Sequence, residues 1–202
     1  MFLFILIFII FLFLFLSWES SSESNCIPKK AFNVITNSML LPLSMEYREY
    51  DRHNFQLPHE AWSDPYVVGF IMSSINILIK SEFIGNSISH QKMGELFFKT
   101  MILLSNYEIA TKIVHQLKYP HIEQCMNNPE FVRGIDDGII VHGVMGKSSL
   151  IDYSHPTILK AKESSLGVDF PTGKNDSSSL SITILMQTFI SHMKENYYSK
   201  NN

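Results

Sequence analysis

Asp64-Pro65-Tyr66-Val67-Val68-Gly69-Phe70-Ile71-Met72-Ser73-Ser74-Ile75-Asn76-Ile77-Leu78-Ile79-Lys80 reads as a helix with both ends marked. Asp64 offers a carboxylate to the free N–H groups of the first turn, and Pro65 occupies the first helical position, where no donor is missed. Val67, Ile71, Ile75, Leu78 and Ile79 recur at three- and four-residue spacing. Phe70 and Ile77 lie off that stripe, so the helix is apolar over much of its circumference and belongs at the centre of a core. Lys80 near its end and Gly85 beyond it are stop signals. The apolar run is only about fourteen residues long and carries Ser73, Ser74 and Asn76, which fits a buried helix better than a membrane span.

The same grammar recurs downstream. A helix is expected from near Ser89, with Met93, Leu96, Phe97, Met101 and Leu104 on one face. Ser105-Asn106-Tyr107-Glu108 has the form of a capping box, opening a separate helix with Ile109, Ile113 and Leu117 before Pro120; one long helix is the alternative. Asn128-Pro129 repeats the device of Asp64-Pro65, followed by Phe131, Ile135 and Ile139 at four-residue spacing. Glycine in a helix costs roughly 1 kcal/mol relative to Ala, so Gly134 and Gly138 need a reason. Placed on one face, they would admit a second backbone at close range, although Gly138 to Gly143 could instead be a short strand.

Residues 144–178 look loop-rich, with a short helix from Pro156 to Ser164. A last helix is expected from about Ser179 to Tyr197, with Ile182, Leu185, Met186, Phe189 and Met193 as its stripe. Upstream, Phe32, Ile35, Leu40 and Leu41 suggest a short helix over residues 31–41. No alternating strand pattern is sustained. The expectation is a mainly α fold: a small domain of four to six helices over residues 63–202, preceded by an N-terminal hydrophobic helix.

Residues 1–16 contain only Met, Phe, Leu and Ile, and Trp18 follows where an interfacial aromatic would anchor the exit. As a helix, residues 1–18 extend about 27 Å, just short of a ~30 Å hydrocarbon core. An uncleaved signal-anchor fits this segment better than a cleaved signal peptide, which would have a positive n-region and small residues at its cleavage site. A start at Met39 or Met45 is a third reading. Residues 19–62 form a linker and loop-rich lead-in. Lys29 and Lys30 after the segment favour one orientation only weakly, so the side of the membrane is left open, and a cleaved leader would make the protein secreted.

Composition narrows the function. Over 202 residues, 46 % are hydrophobic and 17 % charged, which suits a folded chain rather than a disordered one. A net charge of −3, with aromatics not interleaved among basic residues, does not suit a nucleic-acid partner. Two cysteines exclude a disulfide-dense scaffold, though Cys26 and Cys125 could pair outside the cytoplasm, where Asn175-Asp176-Ser177 would be a glycosylation sequon.

Catalytic signatures are sparse. Gly143-Val144-Met145-Gly146-Lys147-Ser148 resembles a phosphate loop only at its end, because Val141 stands where the first glycine is needed. There is no H-E-x-x-H motif, no Glu-x-x-His pair and no G-x-S-x-G elbow, and no cofactor is implied. His121 and Cys125, four apart, could share a helix face and offer nitrogen and sulfur ligands to a metal, with His115 as a third across the Tyr119-Pro120 turn. Asp51, His53, His59, Glu60 and Asp64 gather before the first core helix as possible proton carriers, but Asp64 is better explained as a cap. Asp136 and Asp137 diverge by about 100° on a helix and suit solubility or pairing with Arg133. The expected function is therefore a membrane-tethered helical module, contacting the bilayer through residues 1–18 and binding an unidentified protein partner. The alternative is a hydrolase-type enzyme with a His/Cys site, with or without a bound metal.

Overall fold

A computed structural model describes residues 26–40, 57–83, 87–118, 120–145, 152–165 and 176–198. Among these residues all regular structure is helical. The α1 helix covers residues 26–40, its last turn (Thr36–Leu40) widened to a π turn. A 3-10 turn, His59–Ser63, leads into α2, Pro65–Ser81. Then follow α3 (His90–Leu104), α4 (Tyr107–Gln116), α5 (His121–Met126), α6 (Pro129–Met145) and α7 (Pro156–Ser165). The last helix, α8, runs over residues 176–198. The mainly α expectation holds: among the described residues there are eight helices, seven of them over 63–202 where four to six are expected. The hydrophobic helix expected over residues 1–18 and the sequon at Asn175 lie outside the described residues. No helix among the described residues is long and apolar enough to cross a membrane.

The helix starts follow the caps. Asp64 Oδ1 accepts from the Tyr66 amide at 2.8 Å, Ser89 Oγ from Lys92 at 3.2 Å, and Asn128 Oδ1 from Glu130 at 2.9 Å. Each satisfies an amide that the first turn leaves unpaired. The capping box resolves differently from expectation. Asn106 caps α4, accepting from Ile109 at 2.9 Å, while Ser105 ends α3 and donates to the Met101 carbonyl at 2.7 Å. Two separate helices form, as the first of the two readings has it, and not the one long helix of the alternative. The short α5 comes as an addition, and Gly138 to Gly143 is helix rather than strand. The helix expected over 31–41 begins earlier, at residue 26, where Ile27 packs on the core and Lys30 reaches Glu82 at 2.8 Å.

The centre of the molecule is α2 against α6, with α8 alongside. Glycine makes the first pairing possible. A Cβ on Gly69 would meet the Phe131 carbonyl oxygen at 2.3 Å, and one on Gly134 would meet the Tyr66 carbonyl oxygen at 2.2 Å. At Gly138 it would meet the Ser73 hydroxyl at 2.2 Å. The two backbones thus touch along a face that any side chain would hold apart. Ser73 and Ser74 are buried beside this seam, and both return their hydroxyls to the Phe70 carbonyl, at 3.0 and 2.7 Å. Their polarity is satisfied within the helix. On the α8 side, the Phe70 and Phe189 rings pack 4.6 Å apart, centroid to centroid.

Candidate functional site

The close α2–α6 seam fixes what lies at its end. Tyr66 opens α2, Arg133 and Asp137 sit one turn apart on α6, and His192 and Tyr197 come from α8. The α8 helix passes the site through two π turns, Met186–Ile190 and Lys194–Tyr198, which bracket Ser191–Met193. A π turn adds a residue to the helical circuit and re-aims the side chains that follow, and such turns recur at functional sites. Gln187, Thr188, Ser191, His192 and Glu195 of this segment line a cavity of about 420 Å³, together with Tyr66, Arg133, Asp137 and the start of α7.

Asp64 does more than cap. Its Oδ2 accepts from Tyr197 Oη at 2.8 Å and lies 2.8 Å from His192 Nε2. His192 Nδ1 lies 3.2 Å from an Arg133 guanidinium nitrogen. A guanidinium can only donate, so Nδ1 accepts, the ring proton sits on Nε2, and Nε2 donates to Asp64. The His192 and Asp64 side chains are 12 % and 14 % exposed, which shields their pairing from solvent. The Tyr66 ring lies 4.1 Å from the His192 ring, and the Arg133 guanidinium stands 4.6 Å from the Tyr66 centroid. Arg133 is half exposed and also pairs with Glu130 at 2.7 Å.

The electrostatics follow from burial and bonding. Burial pushes the Asp64 carboxyl up, but the bonds from His192, Tyr197 and the Tyr66 amide together outweigh it and hold it below the ordinary carboxylate value. Asp137 is 8 % exposed and accepts from Tyr66 Oη at 2.9 Å. Burial dominates there and raises its carboxyl, against the lowering by Tyr66 and Arg133. The Tyr66 phenol is pushed far up, first by burial and then by the Asp137 charge, so it acts as a donor. The Tyr197 phenol is likewise raised, by burial and then by its bond to Asp64. Asp137 thus pairs with Tyr66 rather than with Arg133 as expected, while Asp136 points to solvent.

His115, His121 and Cys125 line a second cavity, of about 400 Å³, and the two imidazole rings lie 5.0 Å apart. Cys125 Sγ, however, is 3.8 Å from the Gln116 carbonyl. Among the described residues no group of three or more His, Cys, Asp or Glu side chains is placed to hold a metal ion. Cys26 and Cys125 are separate thiols, so the pairing considered for them is not formed. Of the proton carriers grouped before α2, His59 and Glu60 are exposed in the 3-10 turn, and Asp51 and His53 lie outside the described residues.

Asp64 was legible as a cap. Its partners were not, since His192 and Tyr197 stand 128 and 133 positions away with nothing in the chain to link them. The chemistry of the assembled group is clear: a histidine held in one tautomer between a fixed carboxylate and a guanidinium, and a phenol–carboxylate pair in the same cavity. Such a cavity offers donors and acceptors together, suited to a polar group bearing a carbonyl or carboxylate oxygen. No family model, curated protein or solved structure matches this chain.

Proposed function

We propose that this chain is a membrane-tethered helical domain, held at the bilayer through residues 1–18, which acts by binding a protein partner in the cavity between α2, α6, α7 and α8. The cavity itself carries the reading: about 420 Å³ of space walled by polar side chains. Its floor is held by the glycine-packed helix pair, so little ordering is left to be done when a ligand enters. Arg133 is the group that receives the partner's carbonyl or carboxylate oxygen, because its exposed pairing with Glu130 is easily exchanged. Asp137 and Tyr66 supply the opposite polarity. The leader supports the tether on hydrophobicity and length.

Peptide display against the full chain in lipid nanodiscs tests this reading. Selected peptides are expected to bind the parent protein at least about tenfold more tightly than Arg133→Ala, the factor that follows from losing a charge-assisted hydrogen bond. They are also expected to be excluded by Thr157→Trp, which puts an indole into the cavity from its α7 wall. Peptides that bind all three proteins equally would contradict the proposal.

A further inference from the structure

We propose that the same cavity hydrolyses carboxylic esters, with His192 Nδ1 as general base and the Arg133 guanidinium as the group that receives the oxyanion. This activity needs no protein partner. It rests on the geometry of the Asp64–His192 pair: Nε2 is anchored on a carboxylate that is itself fixed by Tyr197 and the Tyr66 amide, so the other ring nitrogen is aimed at the cavity. A fixed carboxylate of this kind orients the imidazole and stabilises the imidazolium that forms when it takes a proton. Arg133 donates to Nδ1 at 3.2 Å in the resting site, so base and electrophile stand side by side, and the Nδ1 lone pair is freed for water when the guanidinium turns to the entering carbonyl oxygen. Its other pairing, to Glu130, is half exposed and yields readily when a carbonyl oxygen enters.

The substrate class follows from charge. Asp137 and Glu195 balance the formal charges of Arg133 and Lys160 on the same walls, so a dianionic phosphate meets no net positive field, whereas a carboxylic ester is neutral until its carbonyl is attacked. Nδ1 removes a proton from water as the water oxygen bonds to the acyl carbon. The carbonyl π pair moves onto its own oxygen, beside the guanidinium. That pair returns as the acyl C–O bond breaks, and the departing alkoxide takes the proton from Nδ1. A carboxylic acid and an alcohol leave, and His192 is neutral again. Asp64 is not among the residues that line the cavity and acts through His192; it is a positioning residue. Ser191 also lines the cavity, but its hydroxyl is given to the Met186 carbonyl at 3.1 Å, so water is the nucleophile.

The test uses the full chain in nanodiscs with p-nitrophenyl acetate as the probe. His192→Asn is expected to lower kcat by at least about 100-fold, the usual scale of a general base. Arg133→Ala should lower kcat by about tenfold or more, and its half-exposed side chain leaves folding intact. Asp64→Asn, which keeps an amide oxygen to cap α2, should lower kcat with KM unchanged. His121→Asn, an exposed imidazole of the other cavity, should leave the rate unchanged. No hydrolysis above buffer, equal rates in the parent and His192→Asn, or an equal loss in His121→Asn would each overturn the proposal. Peptide binding measured on His192→Asn separates the two readings: an intact binder without esterase activity leaves the binding proposal standing.

Discussion

Asp64 joins three parts of the chain at one carboxylate: the first turn of α2, His192, and Tyr197. Asp64→Ala removes a cap and leaves the half-buried Tyr197 phenol and the His192 ring N–H without their acceptor, so it is expected to cost about 2–3 kcal/mol in urea unfolding, while Asp64→Asn keeps the cap oxygen and costs less. Because its carboxyl is held below the ordinary value, the stabilisation it gives is full above the unfolded value of 3.8 and fades as the pH falls through the lower folded one. Asp137 runs the other way, since burial raises it: its cost is full above its folded value and eases below it. His142 has the larger effect. It is 3 % exposed on α6, and among the described residues neither ring nitrogen has a hydrogen-bond partner. Burial takes it down to about 4 from 6.5, so the unfolded chain binds a proton that the folded one refuses. Stability should therefore fall as the pH drops from 6.5 to 4, by on the order of 3 kcal/mol, and His142→Leu should flatten that window in thermal melts. A melting curve with the same acid slope in both proteins would show that the imidazole has a partner.

The seam of α2 on α6 belongs to the scale of elements. Gly69→Ala and Gly134→Ala each drive a methyl group into backbone, which cannot move aside as a side chain can. Each should cost about 3 kcal/mol or more, at the upper end of overpacking, and should disturb the cavity at the seam's end. Gly94→Ala is the matching control: it stands within α3 with nothing within 4 Å of its Cβ, and should gain about 0.5–1 kcal/mol. Equal effects at all three positions would mean that the helices do not pack this closely. Much of this level was legible in the sequence. Asp64-Pro65, Ser89 and Asn128-Pro129 mark starts that the structure confirms, and the four-residue spacing of Gly134 and Gly138 signals a close approach. Gly69, alone in an apolar run, gives no period from which its partner could be read. The π turns of α8 are silent for a related reason, since Ile182, Leu185, Phe189 and Met193 keep a helical rhythm straight through them. The site depends on those turns and on contacts more than a hundred residues apart, and neither leaves a local mark.

At the scale of the whole molecule, the proposed tether and the cavity make separate demands. The full chain should stay with membranes through carbonate extraction, and a chain lacking residues 1–18 should be released while keeping its helical circular dichroism. Retention of both forms would move membrane attachment to the body. The partner proposal is met most directly by a photoreactive benzoyl-phenylalanine placed at Thr157, on the cavity wall, in the full chain in its native membranes. Illumination is expected to yield a discrete adduct with one protein, and Arg133→Ala should reduce that adduct at least about tenfold. An adduct of undiminished yield in Arg133→Ala, or none at all from the parent chain, would contradict the account.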